Sequence, residues 1–142
     1  MKSASPVTVD HLVLVAADVR ATLAFYRRVL GAEVRDLAEW ERGEREYPVL
    51  HFGGWKVNVH PSDTDAAPRA ARPAVGSVDL CLQWPAPIAD ALAHLASLGV
   101  PVELGPVEQE GAAGWGRSVY FRDPDGNLLE LISYESSART CC

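Results

Sequence analysis

Apolar and polar residues alternate along this chain with two different periods, and the same succession of periods occurs twice. Residues 7–17 are mostly β-branched or apolar, which predicts a strand. A run of apolar residues at helical spacing follows, formed by Val19, Leu23, Tyr26 and Leu30. Asp18 is the expected N-cap of this helix and Gly31 is its expected end. The first predicted unit is therefore a strand followed by a helix.

The first half continues with three shorter stretches that are typical of strands. They are residues 32–37, 47–52 and 55–60, and Gly53-Gly54 joins the last two as a hairpin turn. Residues 38–46 have no readable pattern and are expected to form a loop. The order βαβββ fills a first module of about residues 7–60, and the polar, proline-containing residues 61–75 follow it as a linker.

The second half repeats that order in a module of about residues 76–134. Its predicted elements are a strand at 76–83, a helix at 88–98, a weak strand at 100–104, a loop at 107–116 and a closing hairpin. Leu98-Gly99 lies 68 residues after Leu30-Gly31, and the two helices superpose with that shift. Because a repeat with a fixed period is rare by chance, the sequence predicts an α+β fold of two tandem βαβββ modules. We expect one domain over residues 1–142, with a polar tail at 135–142.

The closing hairpin at residues 117–135 contains a charged residue, Glu130, at a position where an apolar residue would be expected. Val119 and Phe121 alternate toward the core, and Asp123-Pro124-Asp125-Gly126 has proline and glycine where a β-turn favours them. Glu130 then lies in a run that is otherwise suited to burial. An unpaired buried carboxylate costs several kcal/mol, so Glu130 must face water or meet an arginine or a metal ion.

Composition and charge narrow the range of functions. The chain has 142 residues, 48% of them hydrophobic and 23% charged, as expected of a globular domain with a substantial core. A net charge of -6 without a run of basic residues argues against nucleic-acid binding. No stretch is apolar for long enough to span a membrane, and no signal-peptide pattern is present, so we expect no membrane partner and a cytoplasmic location. The expected partner is a small-molecule substrate.

The three cysteines do not form a disulfide framework. Cys81 lies inside a predicted strand, whereas Cys141 and Cys142 end the polar tail. We therefore assign no structural role to the cysteines of the tail.

Side chains that can bind metals recur at nearly the same interval as the modules. His11 and Asp79 are 68 residues apart in the first strands, and His60 and Glu130 are 70 apart in the last strands. Two imidazoles and two carboxylates at one point would suit a divalent cation such as Zn, Ni, Fe or Co. Simpler roles stay open: a hydrogen-bonded core histidine for His11, a surface strand end for His60, and a cap or an arginine pair for Asp79.

Four segments resemble the vicinal oxygen chelate superfamily, which includes glyoxalase I, bleomycin-binding proteins, fosfomycin-resistance thiol transferases and extradiol dioxygenases. They are VDHLVLVAADVRATLAFYRRVLGAEV, KVNVHP, GSVDLCL and SVYFRDPDGNLLEL, and the likeness covers about residues 7–134. The resemblance implies paired modules that form a partly open barrel around a metal cleft, usually in a homodimer whose sites can take ligands from both chains. It implies His11, His60, Asp79 and Glu130 as ligands, although family members commonly have His where this chain has Asp79.

The shared chemistry of that superfamily implies that a divalent metal ion, here Zn, Ni, Fe, Co or Mn, chelates two neighbouring substrate oxygens and stabilises an oxyanion. Our hypothesis is that Glu130 exchanges a proton at the carbon next to a carbonyl, with Asp79 as the alternative base. Tyr120 and Ser118 share a face and are candidate substrate-binding residues, and the Tyr120 hydroxyl could hydrogen-bond a substrate oxygen. The other candidate substrate-binding residues are His51, Asn58 and Trp115, the last as a lid in a glycine-rich loop.

Three functions stay open. The first is a glyoxalase-like lyase or isomerase, because two carboxylates near the metal provide a base. The second is an Fe(II)-dependent ring-cleaving dioxygenase, with His11, His60 and one carboxylate as its metal ligands. The third is a resistance protein that binds an antibiotic or transfers a thiol to one. The arginines that could hold glutathione form no evident cluster, so no thiol cosubstrate is assigned; they are Arg69, Arg72, Arg117 and Arg122.

Overall fold

The computed structural model describes residues 4–136 and separates the chain into two compact units. Unit 1 ends at Val75 and unit 2 begins at Gly76, immediately after the predicted linker. Among the described residues, no helix is both long and apolar enough to cross a bilayer. The predicted tail beyond residue 136, with Cys141 and Cys142, lies outside the described residues.

Unit 1 is a four-stranded mixed sheet with two helices. Its strands are β1 (His11–Ala16), β2 (Glu33–Arg35), β3 (Val49–His51) and β4 (Lys56–Pro61), and its helices are α1 (Val19–Leu30) and α2 (Leu37–Glu41). The strands lie in the order β1-β4-β3-β2 across the sheet. The β1 and β4 strands are parallel, and the other neighbouring pairs are antiparallel.

Unit 2 has the same arrangement. Its strands are β5 (Asp79–Gln83), β6 (Leu104–Gly111), β7 (Gly114–Arg122) and β8 (Leu128–Ser133), and its helix is α3 (Ile88–Ser97). The order across the sheet is β5-β8-β7-β6, again with one parallel pair, β5 with β8. Because both units share one strand order, the predicted α+β fold of two tandem modules is confirmed. Each sheet is open and does not close on itself.

The ends of the two long helices depend on single residues. The side chain of Asp18 accepts a hydrogen bond from the Ala21 N–H at 3.0 Å, so its predicted role as N-cap of α1 is confirmed. Gly31 and Gly99 follow α1 and α3 with φ of 69° each, in the left-handed region that glycine adopts without strain. The predicted interval of 68 residues is thus repeated in the backbone conformation.

One face of each sheet forms the core of its unit. In unit 1, Val57 and Val59 of β4 are almost fully buried, and α1 contacts this strand. In unit 2, Val119 and Phe121 of β7 are fully buried, as predicted, and α3 contacts β7 and β8. Successive strand residues point to opposite faces, so the residues between these core positions lie on the other face of each sheet.

The predictions for residues 100–116 are wrong. The strand expected at 100–104 instead runs from Leu104 to Gly111, and Gly105-Pro106 near its beginning interrupts the strand pattern. The expected loop at 107–116 is the hairpin of β6 and β7, with only Ala112 and Ala113 between the strands. Close packing explains the glycine at position 116, because a Cβ there would lie 2.6 Å from the Ser133 carbonyl oxygen.

The α2 helix occupies part of the stretch that was expected to be a loop. It is only five residues long, which is too short to show a helical repeat in the sequence. Arg20 of α1 donates a hydrogen bond at 2.7 Å to Glu41 and lies over the ring of Trp40. These tertiary contacts, which no local pattern reveals, hold the helix in place.

Replacing Gly31 or Gly99 by alanine should lower the free energy of unfolding by about 1–2 kcal/mol, because a Cβ is strained in the left-handed region. No other heavy atom lies within 4 Å of a Cβ built at either position, so the loss comes from the backbone alone. Gly54→Ala is the matched control, since its Cβ also meets open space and its φ is not in that region. Urea unfolding monitored by circular dichroism gives the free energy of unfolding of all three variants. An equal loss of stability in Gly54→Ala and in the other two would contradict the role of the left-handed conformation.

Candidate functional site

The polar face of the unit 2 sheet carries three reactive side chains in one row. Glu130 of β8 pairs with Cys81 of β5 on one side and with Tyr120 of β7 on the other. Paired residues of adjacent strands point to the same face, so the three side chains lie side by side across the sheet. We define Cys81, Glu130 and Tyr120 as the unit 2 central row. Glu130 is partly buried within it.

Glu130 changes the acidity of both of its neighbours. Cys81 remains exposed as a residue, but loss of solvent around its thiol raises the pKa to about 12, and the Glu130 charge contributes to this rise. Burial, followed by the same charge, raises the pKa of the Tyr120 phenol. Both groups are therefore protonated at neutral pH and can donate hydrogen bonds, whereas the carboxylate of Glu130 is the acceptor of the row.

Asp79 lies diagonally from Glu130 on the same face. It pairs with Leu128, which is two residues, or about 6.6 Å, along β8 from Glu130. Asp79 is exposed. The two carboxylates thus share a face, and two anionic oxygens suit a divalent cation. Their role as a pair of metal ligands stays a prediction.

A buried hydrogen-bond network in the turn before β8 sets the position of that strand. The Asp123 carboxylate accepts hydrogen bonds from the N–H groups of Asp125 (2.9 Å) and Asn127 (3.0 Å), and from the Asn127 side chain (2.8 Å). The Oδ1 atom of Asn127 accepts a further hydrogen bond from the Val78 N–H at 2.9 Å. Val78 directly precedes Asp79, so the turn connects the beginning of β5 to the beginning of β8. These two strands carry Asp79 and Glu130, so the turn fixes the position of both carboxylates.

An open cleft of about 300 Å³ adjoins the central row of unit 2. Cys81 and Glu130 line it, together with Tyr134 and the end of the β6–β7 hairpin. The Tyr134 hydroxyl accepts a hydrogen bond from the Ala113 N–H at 3.2 Å, which holds the ring against the hairpin. The volume is at the lower limit of typical ligand pockets, so the cleft suits a small ligand.

In unit 1, His11 has the surroundings of a metal-binding histidine. Its Nδ1 lies 2.6 Å from the Asp10 carboxylate, and this hydrogen bond lowers the pKa of Asp10. A carboxylate on one ring nitrogen selects the tautomer in which the other nitrogen, Nε2, is free to bind a cation. The His11 side chain is 44% exposed, so an ion can reach it. His11 therefore fits a divalent metal.

The structure separates His60 from His11. Both lie on the same face of the sheet, but His11 pairs with Lys56 whereas His60 pairs with Val15, which is four residues, or about 13 Å, further along. His60 also stacks on Tyr47 with ring centroids 4.4 Å apart, and burial lowers its pKa. Within unit 1 the two imidazoles are too far apart to face one ion. The role of His60 as a ligand stays a prediction.

The counterpart of Glu130 in unit 1 is Asn58. Asn58 pairs with Val13, which is two residues after the predicted ligand His11. In the same way, Glu130 pairs with Cys81, which is two residues after the predicted ligand Asp79. The sequence interval that matched His60 with Glu130 is therefore two residues out of register. Intervals along a chain do not reveal sheet register, and a shift of two residues preserves the face.

The remaining predicted substrate-binding residues lie in surroundings that differ from one residue to the next. Ser118 is fully buried, and its Oγ has no hydrogen-bond partner among the described residues. Trp115 is 70% exposed but lies in β7, so the expected loop lid is not present at this position. In unit 1, the Nε2 atom of His51 lies 3.3 Å from Nη1 of Arg35, beside a cleft of about 170 Å³.

Sequence reasoning did not identify Asp10 and Asn127 as supporting residues. The neighbouring Asp10-His11 pair could have been noticed, whereas Asn127 follows the four-residue turn and gives no local signal. Within either unit, residues 4–136 contain no group of three or more His, Cys, Asp or Glu side chains that could hold a metal ion. The predicted four-ligand set of His11, His60, Asp79 and Glu130 stays a prediction.

The sequence is similar over most of its length to proteins of one family. The sequence profile described as Glyoxalase/Bleomycin resistance protein/Dioxygenase superfamily matches residues 8–131. Virulence protein STM3117 of Salmonella typhimurium is 39% identical over 126 residues, which cover 89% of this chain and 83% of that protein. Glyoxalase domain-containing protein RDO1 of Mycosarcoma maydis is 41% identical over 130 residues, which cover 92% and 70%.

Solved structures agree with the sequence comparison. The crystal structure of STM3117 matches with a TM-score of 0.83 and 37% identity, covering 93% of this chain and 100% of that chain. The crystal structure of a lactoylglutathione lyase from Agrobacterium tumefaciens matches with a TM-score of 0.67 and 26% identity, covering 92% and 96%. The likeness thus extends to the arrangement of strands and helices.

Asn127→Ala should lower the free energy of unfolding by about 1–3 kcal/mol, because the buried Asp123 carboxylate loses one of its hydrogen bonds and the half-buried Val78 N–H loses its side-chain acceptor. Gln109→Ala removes an exposed amide from β6 and is the matched control. Urea unfolding of both variants measures the difference. A loss in Asn127→Ala as small as that in the control would contradict the role assigned to the turn.

With Cys141 and Cys142 replaced by serine, Cys81 should react with iodoacetamide at pH 8 at least about tenfold more slowly than an ordinary thiol, because the thiolate is the reactive form. The rate should keep rising until the pH approaches a pKa of about 12. Glu130→Gln should increase the rate by removing a negative neighbour, whereas Glu108→Gln, an exposed carboxylate of β6, should not. Rates are measured with a metal chelator present. Equal rates in both variants would contradict the pairing of Cys81 with Glu130.

Proposed function

The chain belongs to the glyoxalase/bleomycin resistance protein/dioxygenase superfamily, and from this we propose a metal-dependent lyase or isomerase for a small substrate with two neighbouring oxygens. The unit 2 central row carries the proposal. In that row a partly buried carboxylate, Glu130, lies between two groups that stay protonated at neutral pH. Such a row supplies a base and hydrogen-bond donors at one place, as proton transfer next to a carbonyl requires.

A divalent cation, when bound, would polarise the two substrate oxygens as a Lewis acid. We propose His11, Asp79 and Glu130 as its ligands, since the Nδ1 of His11 is held by a carboxylate and the other two side chains share a face. The fourth strand of unit 1, where the sequence predicts His60, would supply the remaining ligand. Zn, Ni, Fe, Co and Mn all accept nitrogen and oxygen donors of this kind.

Glu130 would take a proton from the carbon next to the substrate carbonyl and return it to the neighbouring carbon. The Tyr120 hydroxyl would donate a hydrogen bond to the oxygen that becomes negative during this transfer. Asp79 is the alternative base on the same face. The cleft beside Cys81 and Tyr134 would hold the rest of the substrate.

The likeness to a lactoylglutathione lyase supports the lyase class, because that protein keeps 26% identity over 92% of this chain. The dioxygenase alternative requires two imidazoles at one ion, which the register of β1 and β4 does not favour. A homodimer and a cytoplasmic location are further proposals, which rest on the family resemblance and on the composition.

Metal-free protein loaded in turn with Ni, Co, Zn, Mn or Fe(II) should isomerise a hemithioacetal with at least one of these ions. Glu130→Gln should lower kcat by about 10²–10⁴-fold, because the proton acceptor is lost. Glu108→Gln is the matched control and should keep full activity. A catechol with oxygen, and an epoxide with a thiol, are assayed in parallel. Turnover of either instead of the hemithioacetal, or an active Glu130→Gln variant, would overturn the proposal.

A further inference from the structure

The cleft beside the unit 2 central row continues beyond the residues that the proposed chemistry uses. Tyr134 follows β8, four residues after Glu130, and both residues line the cleft. Four residues of extended chain cover about 13 Å. A substrate whose reacting carbons lie beside Glu130 therefore has room for a further group that extends toward Tyr134.

The ring of Tyr134 lies over the backbone of two glycines. A Cβ built on Gly111 of β6 would overlap the Tyr134 hydroxyl, and one built on Gly116 of β7 would lie 3.1 Å from Cδ1 of that ring. The hydrogen bond from the Ala113 N–H, at 3.2 Å, holds the hydroxyl end. Tyr134 is only half-buried, so part of its ring remains accessible from the cleft.

Carboxylates, and not cations, lie around this space. Glu110 and Glu130 line the cleft, and no lysine or arginine is among the described residues that line it. An anionic group of the substrate would meet negative charge there and would find no guanidinium or ammonium to pair with. The group that reaches Tyr134 should therefore be uncharged.

We propose that Tyr134 is a specificity-determining residue, whose ring packs against an uncharged aromatic ring in the part of the substrate remote from the reacting carbons. This inference rests on the proposed function, because Glu130 fixes where the reacting carbons lie. Two aromatic rings stabilise each other beyond the area that they bury. A saturated ring of similar size lacks that contribution, and a carboxylate on the aromatic ring would meet the charges of Glu110 and Glu130.

Alkylation of Cys81 tests this contact without any turnover, because Cys81 lines the same cleft. Protein with Cys141 and Cys142 replaced by serine is treated at pH 9, with a metal chelator present, with N-(2-phenylethyl)iodoacetamide or its cyclohexyl counterpart. The thiolate displaces iodide and forms a carbon–sulfur bond. Each rate is divided by the rate of the same reagent with 2-mercaptoethanol. The phenyl reagent should react about twofold to tenfold faster than the cyclohexyl reagent, and faster than a phenyl reagent that carries a para-carboxylate.

Three variants separate the ring from its position. Tyr134→Phe keeps the ring and should keep the preference for the phenyl reagent, whereas Tyr134→Leu should lose it. Gly111→Ala keeps the tyrosine but places a methyl group where its hydroxyl lies, so the preference should also fall. Urea unfolding checks that each variant is folded under the labelling conditions. A folded Tyr134→Leu variant with the original preference, or equal rates of both reagents with the original protein, would overturn the inference.

A turnover assay distinguishes failure of this inference from failure of the proposed function. Its substrates are the methylglyoxal hemithioacetals of 2-phenylethanethiol and 2-cyclohexylethanethiol, and kcat/KM should favour the phenyl compound in the original protein but not in Tyr134→Leu. If neither compound reacts while the labelling of Cys81 still depends on Tyr134, the contact stands and the proposed function is wrong. If both react equally well and the labelling does not depend on Tyr134, the proposed function stands and the inference is wrong.

Discussion

The hydrogen bonds between Asp123, Asn127 and the backbone of Val78 are the constraint on which the candidate site depends. Asp123 and Asn127 are buried, so breaking the bond between their side chains would leave a donor and an acceptor with little access to water. The hydrogen bonds also decide which residue of β8 lies beside which residue of β5. A shift of one residue would turn Glu130 toward the core and bring its apolar neighbours to the polar face. The position of the carboxylate is thus set by a turn that has no role in the chemistry itself.

Several polar groups on the two sheets are not explained by folding. Glu130 is partly buried between Cys81 and Tyr120, and burial, followed by the Glu130 charge, raises the pKa of both neighbours. Asn58 and Ser118 keep buried oxygens without partners among the described residues. A protein selected only for stability would replace such groups with apolar residues of similar volume. Their presence on faces opposite to the cores is the physical reason to place ligand binding there.

The sequence was sufficient to predict features that depend on neighbouring residues, such as helix ends and strand periods. It was insufficient where the feature depends on how the residues of adjacent strands are paired. Capping by Asp18, the glycines at positions 31 and 99, and the strand periods predicted two equal modules, and the structure confirms them. The β6 strand was missed because Gly105-Pro106 and a register shift between Leu104 and Val107 interrupt its pattern. The sequence interval that matched His60 with Glu130 differs from the sheet register by two residues. Residues two apart on a strand point to the same face, so periodicity alone does not reveal that register, and the role of His60 as a ligand stays a prediction.

The difference between the two sheets has a stereochemical consequence for the proposed reaction. The unit 2 central row contains a carboxylate that can accept a proton, whereas the corresponding residues of unit 1, Val13, Asn58 and Val49, provide an amide and two apolar side chains, which cannot. In the proposed reaction, Glu130 would remove and return the proton on one side of the substrate carbons. A prochiral substrate would then give a single enantiomer.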